Sequence, residues 1–279
     1  MTNKKPLFTI VGPGVMGEAI IAGLIRQKVA GADQIIAAGP ELDRLEEINA
    51  KYGIQCTPDN NEGVKNSDVI LLAVKPQRIQ KVLKGLQGKI PPHALVMSIV
   101  AGSSIADISE GLEHNMIVRA MPNTPAQIGE GVTVWTASEK VSEDLKELAR
   151  SVLGALGQEV FMEEEEYLDM ATALSGSGPA YVFLFMEAMI DAGVHLGFQR
   201  KIAEKLVVQT LRGSADYYDI KEDHAAALRS EVTSPGGTSA EALYYLEKAG
   251  FRTAISRAVW AAYERSRALG AGKKGKTPA

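Results

Sequence analysis

The chain is poor in the residues that would mark several functional classes. It has one cysteine, Cys56, so an intrachain disulfide is excluded and a reducing cytoplasm is the fitting compartment. Its four histidines, His93, His114, His195 and His224, are scattered, and no Cys/His cluster has metal-ligand spacing. Thirty basic residues against 34 acidic ones give a net charge of −4, which favours neither nucleic acid nor an anionic membrane surface. No apolar run reads as approaching the ~18–20 residues of a membrane span. Lys4-Lys5 ahead of an apolar stretch imitates a signal peptide, but Gly12, Pro13, Gly14, Gly17 and Glu18 break that stretch. A first buried strand explains it better.

What is present suits an ordinary soluble protein of two domains: 279 residues, 46% apolar and 23% charged. In the first part, residues 7–12, 34–38, 68–74, 94–99, 116–121 and 131–136 read as strands, with helical patterns at 15–28 and 41–52. Such alternation predicts a parallel sheet with helices on both faces. The run Val69-Ile70-Leu71-Leu72-Ala73-Val74 is apolar without alternation, as expected of a strand covered on both sides. Near Glu163 the character changes. Glu163-Glu164-Glu165-Glu166 reads as a solvated helix start, and helical patterns follow at 165–173, 178–197, 200–218, 222–230, 239–249 and 251–268. Residues 180–197 are apolar around most of a helix, which demands burial on nearly every side and points to a second subunit. The expected division is a dinucleotide-binding domain at 1–163, a helical substrate and dimerisation domain at 164–270, and a disordered basic tail at 271–279.

Gly12-x-Gly14-x-x-Gly17 lies between a predicted strand and a predicted helix. There the first glycine permits the tight turn. The second lets the backbone approach a pyrophosphate, and the third lets helix and strand pack closely. About 20 residues further on, NAD-dependent folds place an acid against the ribose hydroxyls. Here the turn reads Ala37-Ala38-Gly39-Pro40, so nothing repels a 2′-phosphate and NADP(H) is favoured, with NADH possible. Arg44 offers a cation one helical turn on, opposed by Glu41 and Asp43.

The segment Glu231-Val232-Thr233-Ser234-Pro235-Gly236-Gly237-Thr238-Ser239-Ala240-Glu241-Ala242-Leu243 is the most informative in the chain. A Pro-Gly-Gly turn flanked by four hydroxyls opens into a helix, whose free N–H groups and positive dipole end suit a carboxylate. The alternative for the segment by itself is a well-capped helix after a tight turn.

Together with Gly12–Gly17, Ala73-Val74-Lys75-Pro76, Met121-Pro122-Asn123-Thr124-Pro125 and Leu174-Ser175-Gly176-Ser177-Gly178-Pro179-Ala180-Tyr181, this segment resembles the pyrroline-5-carboxylate reductases. The likeness extends to about Gly270. It implies an α/β fold with an N-terminal Rossmann-type doubly wound sheet and an all-α C-terminal dimerisation domain. The implied reaction is NAD(P)H-dependent reduction of the cyclic imine 1-pyrroline-5-carboxylate to L-proline. The implied assembly is a homodimer or higher homo-oligomer through the C-terminal helices, with no nucleic-acid or membrane partner. By the same resemblance Gly12, Pro13, Gly14, Val15, Met16, Gly17, Gly39, Asn60, Ala73, Val74, Lys75, Pro76, Ala101 and Asn123 form the cofactor wall. Val232, Thr233, Ser234, Gly236, Gly237, Thr238 and Ser239 bind substrate, with Ser239 and Glu222 as the catalytic candidates. Ser239 matches a position usually held by threonine, where a hydroxyl meets the ring nitrogen. Glu222 matches one near the substrate amine, and as a plain sequence feature it is equally a first-turn helix glutamate. The chain departs from the family in lacking Ser, Asn or Arg in the turn after the second strand. Two other readings fit the residues less well. A β-hydroxyacid dehydrogenase needs a helix lysine as base, and Lys201 and Lys205 flank no glycine-rich substrate motif. A non-catalytic NADP sensor would not need the hydroxyl-rich loop.

Overall fold

A computed structural model describes residues 5–270 of the chain. The expected disordered tail at 271–279 lies outside the described residues. By its contacts the chain divides into two compact units, one of residues up to Ser177 together with the stretch from Ala262, the other Gly178–Ala261. The change of unit therefore falls later than the change of composition near 163, and the first unit takes back the end of the last helix.

In the first unit eight strands form one sheet in the order β3-β2-β1-β4-β5-β6-β7-β8. They are β1 Phe8–Val11, β2 Ile35–Ala38, β3 Gln55–Thr57, β4 Val69–Leu72, β5 Leu95–Ser98, β6 Ile117–Met121, β7 Gly131–Ala137 and β8 Gly157–Phe161. Neighbours from β3 to β6 pair in parallel. Within this sheet β7 is the exception, running antiparallel to β6. The link between them carries only a short 3-10 turn, Thr124–Ile128, and is too short for a crossover. Helix α6 (Glu143–Gly154) is long enough, and β8 returns parallel to β7.

Strand alternation sorts the core into two layers. Phe8, Ile10, Ile35, Ala37, Val69, Leu71, Leu95, Met97, Val118 and Ala120 face one side. They pack there on Ile20 and Leu24 of α1 (Val15–Arg26), Leu45 and Ile48 of α2 (Leu42–Tyr52), and Val152 and Leu153 of α6 (Glu143–Gly154). Val11, Ile70, Leu72, Val96 and Ile117 face the other side. Their partners are Val64 of α3 (Asn60–Val64), Leu83 of α4 (Ile79–Leu86) and Leu112 of α5 (Ile105–Leu112). Six strands carry this pattern in the sequence. The short β3 and the mixed Gly-Gln-Glu-Val-Phe of β8 are the sheet edges and lack it.

The acidic run at 163–166 is not simply solvated. Glu165 Oε1 accepts from Arg119 Nη1 and from the Ile105 amide, both at 2.8 Å, so it pairs a buried cation and caps α5. Helix α7 (Tyr167–Ala171) passes into a π-helical turn, Thr172–Gly176. Through that turn the helix stays unbroken from Tyr167 to His195, and by length and composition it could cross a membrane. In the sequence Ser175-Gly176-Ser177-Gly178-Pro179 looks like a break, which hides the run.

The second unit holds α8 (Gly178–His195), α9 (Arg200–Lys221), α10 (Ala225–Glu231), α11 (Thr238–Lys248) and most of α12 (Phe251–Gly270). Helix α8 packs on α9, where a side chain on Gly193 would press the Ala203 Cβ at 3.1 Å. The burial expected of α8 is not achieved within one chain. No residue of α8 is buried, and Phe183 and Leu184 are 62% and 67% exposed.

Candidate functional site

The residues expected at the cofactor gather at the carboxyl ends of the first unit's strands, where open α/β sheets bind ligands. Gly12 follows β1 with φ 88°, and a Cβ there would lie 2.5 Å from Val74 Cγ1. A Cβ on Gly17 would lie 2.6 Å from the Gly12 carbonyl oxygen. These two glycines are thus demanded by the protein's own packing. Gly14 differs: a Cβ there meets nothing within 4 Å. Gly14 is the N-cap of α1 and brings no side-chain cap, so the first-turn amides face an open approach lined by the exposed Val15. This is the arrangement that receives a pyrophosphate.

The surrounding wall forms from the next strand ends. The Ala73 amide donates to Val11 O at 2.9 Å, which holds Ala73 and Val74 beside Gly12. Lys75 is exposed and precedes the 3-10 turn Pro76–Arg78. Ala101 follows β5. Gly39 donates its amide to Thr57 O at 3.1 Å, and a Cβ on it would reach Pro13 Cδ at 3.1 Å. Ala37 and Ala38 are fully buried in β2, so Gly39, not Ala38, is the position facing the dinucleotide loop. Asn60 opens α3 with its Oδ1 buried and without a partner. Such an orphan oxygen calls for a donor from a ligand. The closed cradle at Gly12 and Gly17, the open face at Gly14 and the waiting oxygen of Asn60 fit a dinucleotide.

Asn123 is placed differently from the rest. Its Oδ1 accepts from the Val132 amide at 3.0 Å, and its Nδ2 donates to Ser175 O at 3.3 Å. It therefore fastens the loop after β6 to the π-helical turn. Ser177 donates its Oγ back to Thr172 O at 2.8 Å within that turn. π-helical turns recur at functional sites.

Arg44 does not stand free. Its Nε donates to Pro13 O at 2.9 Å, Nη1 donates to Glu47 at 2.9 Å, and Nη2 is paired with Glu18. Glu18 also accepts from Lys51 Nζ at 2.7 Å and Tyr52 OH at 2.9 Å. The Lys51 hydrogen bond, aided by those of Arg44 and Tyr52 against the cost of burial, holds the Glu18 carboxyl at about 2. Sequence proximity points to Glu41 and Asp43, whereas the two carboxylates that hold Arg44 are Glu18 and Glu47. Glu18 sits 26 positions away on another helix and carries no local signal.

In the helical unit, the loop between α10 and α11 is a tight turn that opens directly into a helix. Gly236 adopts φ 71°, open to glycine at little cost, and the Gly237 amide closes the turn onto Ser234 O at 3.0 Å. Gly237 has φ −80°, so its need for glycine comes from crowding: a Cβ would lie 2.6 Å from Ser234 Oγ. Helix α11 begins at Thr238 with no side-chain cap. Its N-cap is Gly237, which has no side chain to bond the first-turn amides. Thr233 Oγ1 donates to Arg229 O at 2.6 Å. Ser239 is half-buried in the first turn, and Val232 is exposed. Glu222 is not a first-turn residue. It is the exposed C-cap of α9, held at φ 54°.

A glycine-cradled dinucleotide loop on a doubly wound sheet, followed by a helical unit, defines an NAD(P)-dependent oxidoreductase. Residues 8–102 match the family model of NADP oxidoreductase, coenzyme F420-dependent, and residues 165–269 match that of pyrroline-5-carboxylate reductase dimerisation. The chain is 44% identical over 261 residues to the pyrroline-5-carboxylate reductase of Synechocystis sp., covering 94% of this chain and 97% of that one. It is 35% identical to pyrroline-5-carboxylate reductase 1 of Bacillus subtilis, covering 96% and 90%. Among solved structures, the enzyme from Coxiella burnetii superposes with a TM-score of 0.89 at 37% identity, over 98% of this chain and 100% of that one. The Plasmodium falciparum pyrroline carboxylate reductase, solved with NADP bound, gives 0.87 at 32%, over 97% and 99%. The chain belongs to the pyrroline-5-carboxylate reductase family.

Proposed function

We propose that the chain reduces 1-pyrroline-5-carboxylate to L-proline with NADPH as the preferred reductant, as a homodimer or higher homo-oligomer assembled through its C-terminal helices. The observation that carries the substrate assignment is the loop at Gly236–Ser239, an anion seat next to a hydroxyl at the start of an uncapped helix. The substrate is small and offers two handles, a carboxylate and a ring nitrogen. The amides of the Ser234–Thr238 loop take the carboxylate, each charge-assisted hydrogen bond contributing about 1.5–3 kcal/mol. The Ser239 hydroxyl meets the ring nitrogen and favours the iminium form. Glu222 stands exposed at the end of α9. Its part is to add negative potential that favours the iminium.

Gly12, Gly14 and Gly17 with the α1 amides hold the pyrophosphate, and Asn60, Ala73–Pro76, Ala101 and Asn123 complete the wall. The bound nicotinamide supplies hydride. An iminium carbon is already electrophilic, so the chain's task is chiefly to bind, orient and exclude water, and no acid–base pair is needed. NADPH is favoured because Gly39 and Pro40 put no carboxylate where an acid would bind the ribose hydroxyls.

The exposed apolar face of α8 and the match to the family's dimerisation region support assembly through these helices. A subunit of the same kind, rather than lipid, covers the long Tyr167–His195 helix, and the enzyme works in the reducing cytoplasm with Cys56 as a free thiol. The test is a panel of imines and hydroxyacids assayed with NADPH and NADH side by side. Turnover of pyrroline-5-carboxylate is expected. Turnover of a hydroxyacid alone would overturn the assignment.

A further inference from the structure

We propose that Glu18 is a specificity-determining residue: by occupying Arg44, the cation seated on the dinucleotide loop, it limits how strongly the enzyme holds a 2′-phosphate. The proposal rests on NADPH being the preferred reductant.

The turn after β2 has no side-chain donor at Ala38, Gly39 or Pro40. Arg44, on the first turn of α2, reaches back and donates its Nε to the Pro13 carbonyl at 2.9 Å. Pro13 in turn lies against Gly39. The guanidinium therefore sits at the ribose end of the loop. It has five N–H donors. Pro13, Glu47 and Glu18 each take one, so two stay open to a phosphate.

The charge balance is less favourable than the geometry. Arg44 and Lys51 are matched by Glu18 and Glu47. A nearly dianionic 2′-phosphate thus meets a cluster whose formal charges cancel. The Glu18 carboxyl, held at about 2 by Lys51, Arg44 and Tyr52, stays ionised at every working pH. Three donors from α2 fix that carboxylate in place, so it cannot swing away when the phosphate arrives. Arg44 supplies direction for the phosphate, and Glu18 withholds most of the attraction.

Glu18→Gln keeps the shape and an acceptor for Lys51 and Tyr52 while removing the charge. Titration calorimetry with NADPH, NADH, adenosine 2′,5′-bisphosphate and 5′-AMP reads the effect without turnover. The variant is expected to bind NADPH and the bisphosphate about five- to twentyfold more tightly, with NADH and AMP unchanged. Arg44→Gln is expected to weaken only the 2′-phosphorylated ligands, by about tenfold, and to reduce their salt dependence. In the double variant the gain from Glu18→Gln should vanish, because it acts through Arg44. Glu143→Gln, the same charge change at the exposed start of α6, should alter nothing. If Glu18→Gln does not fold, Glu47→Gln removes the other carboxylate from Arg44 and is expected to act in the same direction, about threefold.

Unchanged or weaker binding of the bisphosphate relative to AMP in a folded Glu18→Gln or Glu47→Gln protein would overturn the proposal. A wild type that binds NADH more tightly than NADPH would overturn the cofactor reading instead. The shift between variants would still report on Glu18.

Discussion

Arg119, buried on β6, donates through Nη1 to Glu165 at 2.8 Å, across 46 positions of sequence. The same carboxylate oxygen caps α5 at the Ile105 amide. Asp169, 3.9 Å from the guanidinium, accepts from Ser266 Oγ at 2.6 Å and ties in the end of α12. Glu165→Gln should therefore cost roughly 3 kcal/mol of unfolding free energy, towards the lower end for breaking a buried pair because Glu165 is partly exposed. Denaturant titration checks this. Removing the cation as well while keeping an oxygen for the Ile105 amide, Arg119→Met with Glu165→Gln, should cost less than Glu165→Gln alone. A larger loss would mean the pair is not the source of the effect.

The three glycines of the dinucleotide loop should separate stability from binding. Gly14→Ala is expected to melt within a degree or two of wild type, yet to lose cofactor affinity about a hundredfold, because only the ligand needs that space. Gly17→Ala should lose stability as well, since its Cβ would collide with the Gly12 carbonyl. Melting curves and NADPH titrations on the same samples decide. Equal melting losses in the two would contradict the geometry.

Ser239→Ala should lower kcat/KM roughly 10–150-fold, equivalent to one hydrogen bond to a charged nitrogen, with the melting temperature and NADPH affinity unchanged. Ser239→Thr should remain active. Gly237→Ala should be worse than Ser239→Ala, because the new Cβ presses on Ser234 and displaces the loop. A melting shift with wild-type kinetics in Ser239→Ala would take the hydroxyl out of the site.

Acid should act partly through Glu18. Its carboxyl falls from an ordinary 4.5 to about 2 on folding, chiefly through the Lys51 hydrogen bond. A depressed carboxylate contributes stability that is present above 4.5 and lost as pH falls towards 2. The melting-temperature difference between wild type and Glu18→Gln should be constant above pH 5 and should shrink through that window. A difference that grows on acidification would contradict the pairing.

Legibility in the sequence followed the range of the interaction. The central strands declare themselves because each of Val69–Leu72 is buried, leaving an unbroken apolar run. Glycine spacing reveals the loop at Gly12–Gly17 because three glycines within six positions form a local pattern, even though the side chain that crowds Gly12 is the distant Val74. The edge strands β3 and β8 escape because one flank of each lies open and permits polar residues. Glu18 and Glu165 both look like ordinary acids near a helix start. Their partners are Arg44, Lys51 and Arg119, assembled only by the tertiary fold. The Gly-Gly pair was visible, but which member turns left-handed was not; it is Gly236.

The bare apolar flank of α8 has a kinetic side. Within Gly178–Ala261 only Ala203 and Val207 are buried by their own chain, too little to hold five helices together. In the proposed assembly, ordering of this unit and pairing with a second copy become one event governed by mass action. Dilution behaves as a denaturant, and the apparent melting point climbs with protomer concentration. A defective copy that retains the helical unit would be taken up into mixed assemblies, so damage in one chain is shared by its sound partner.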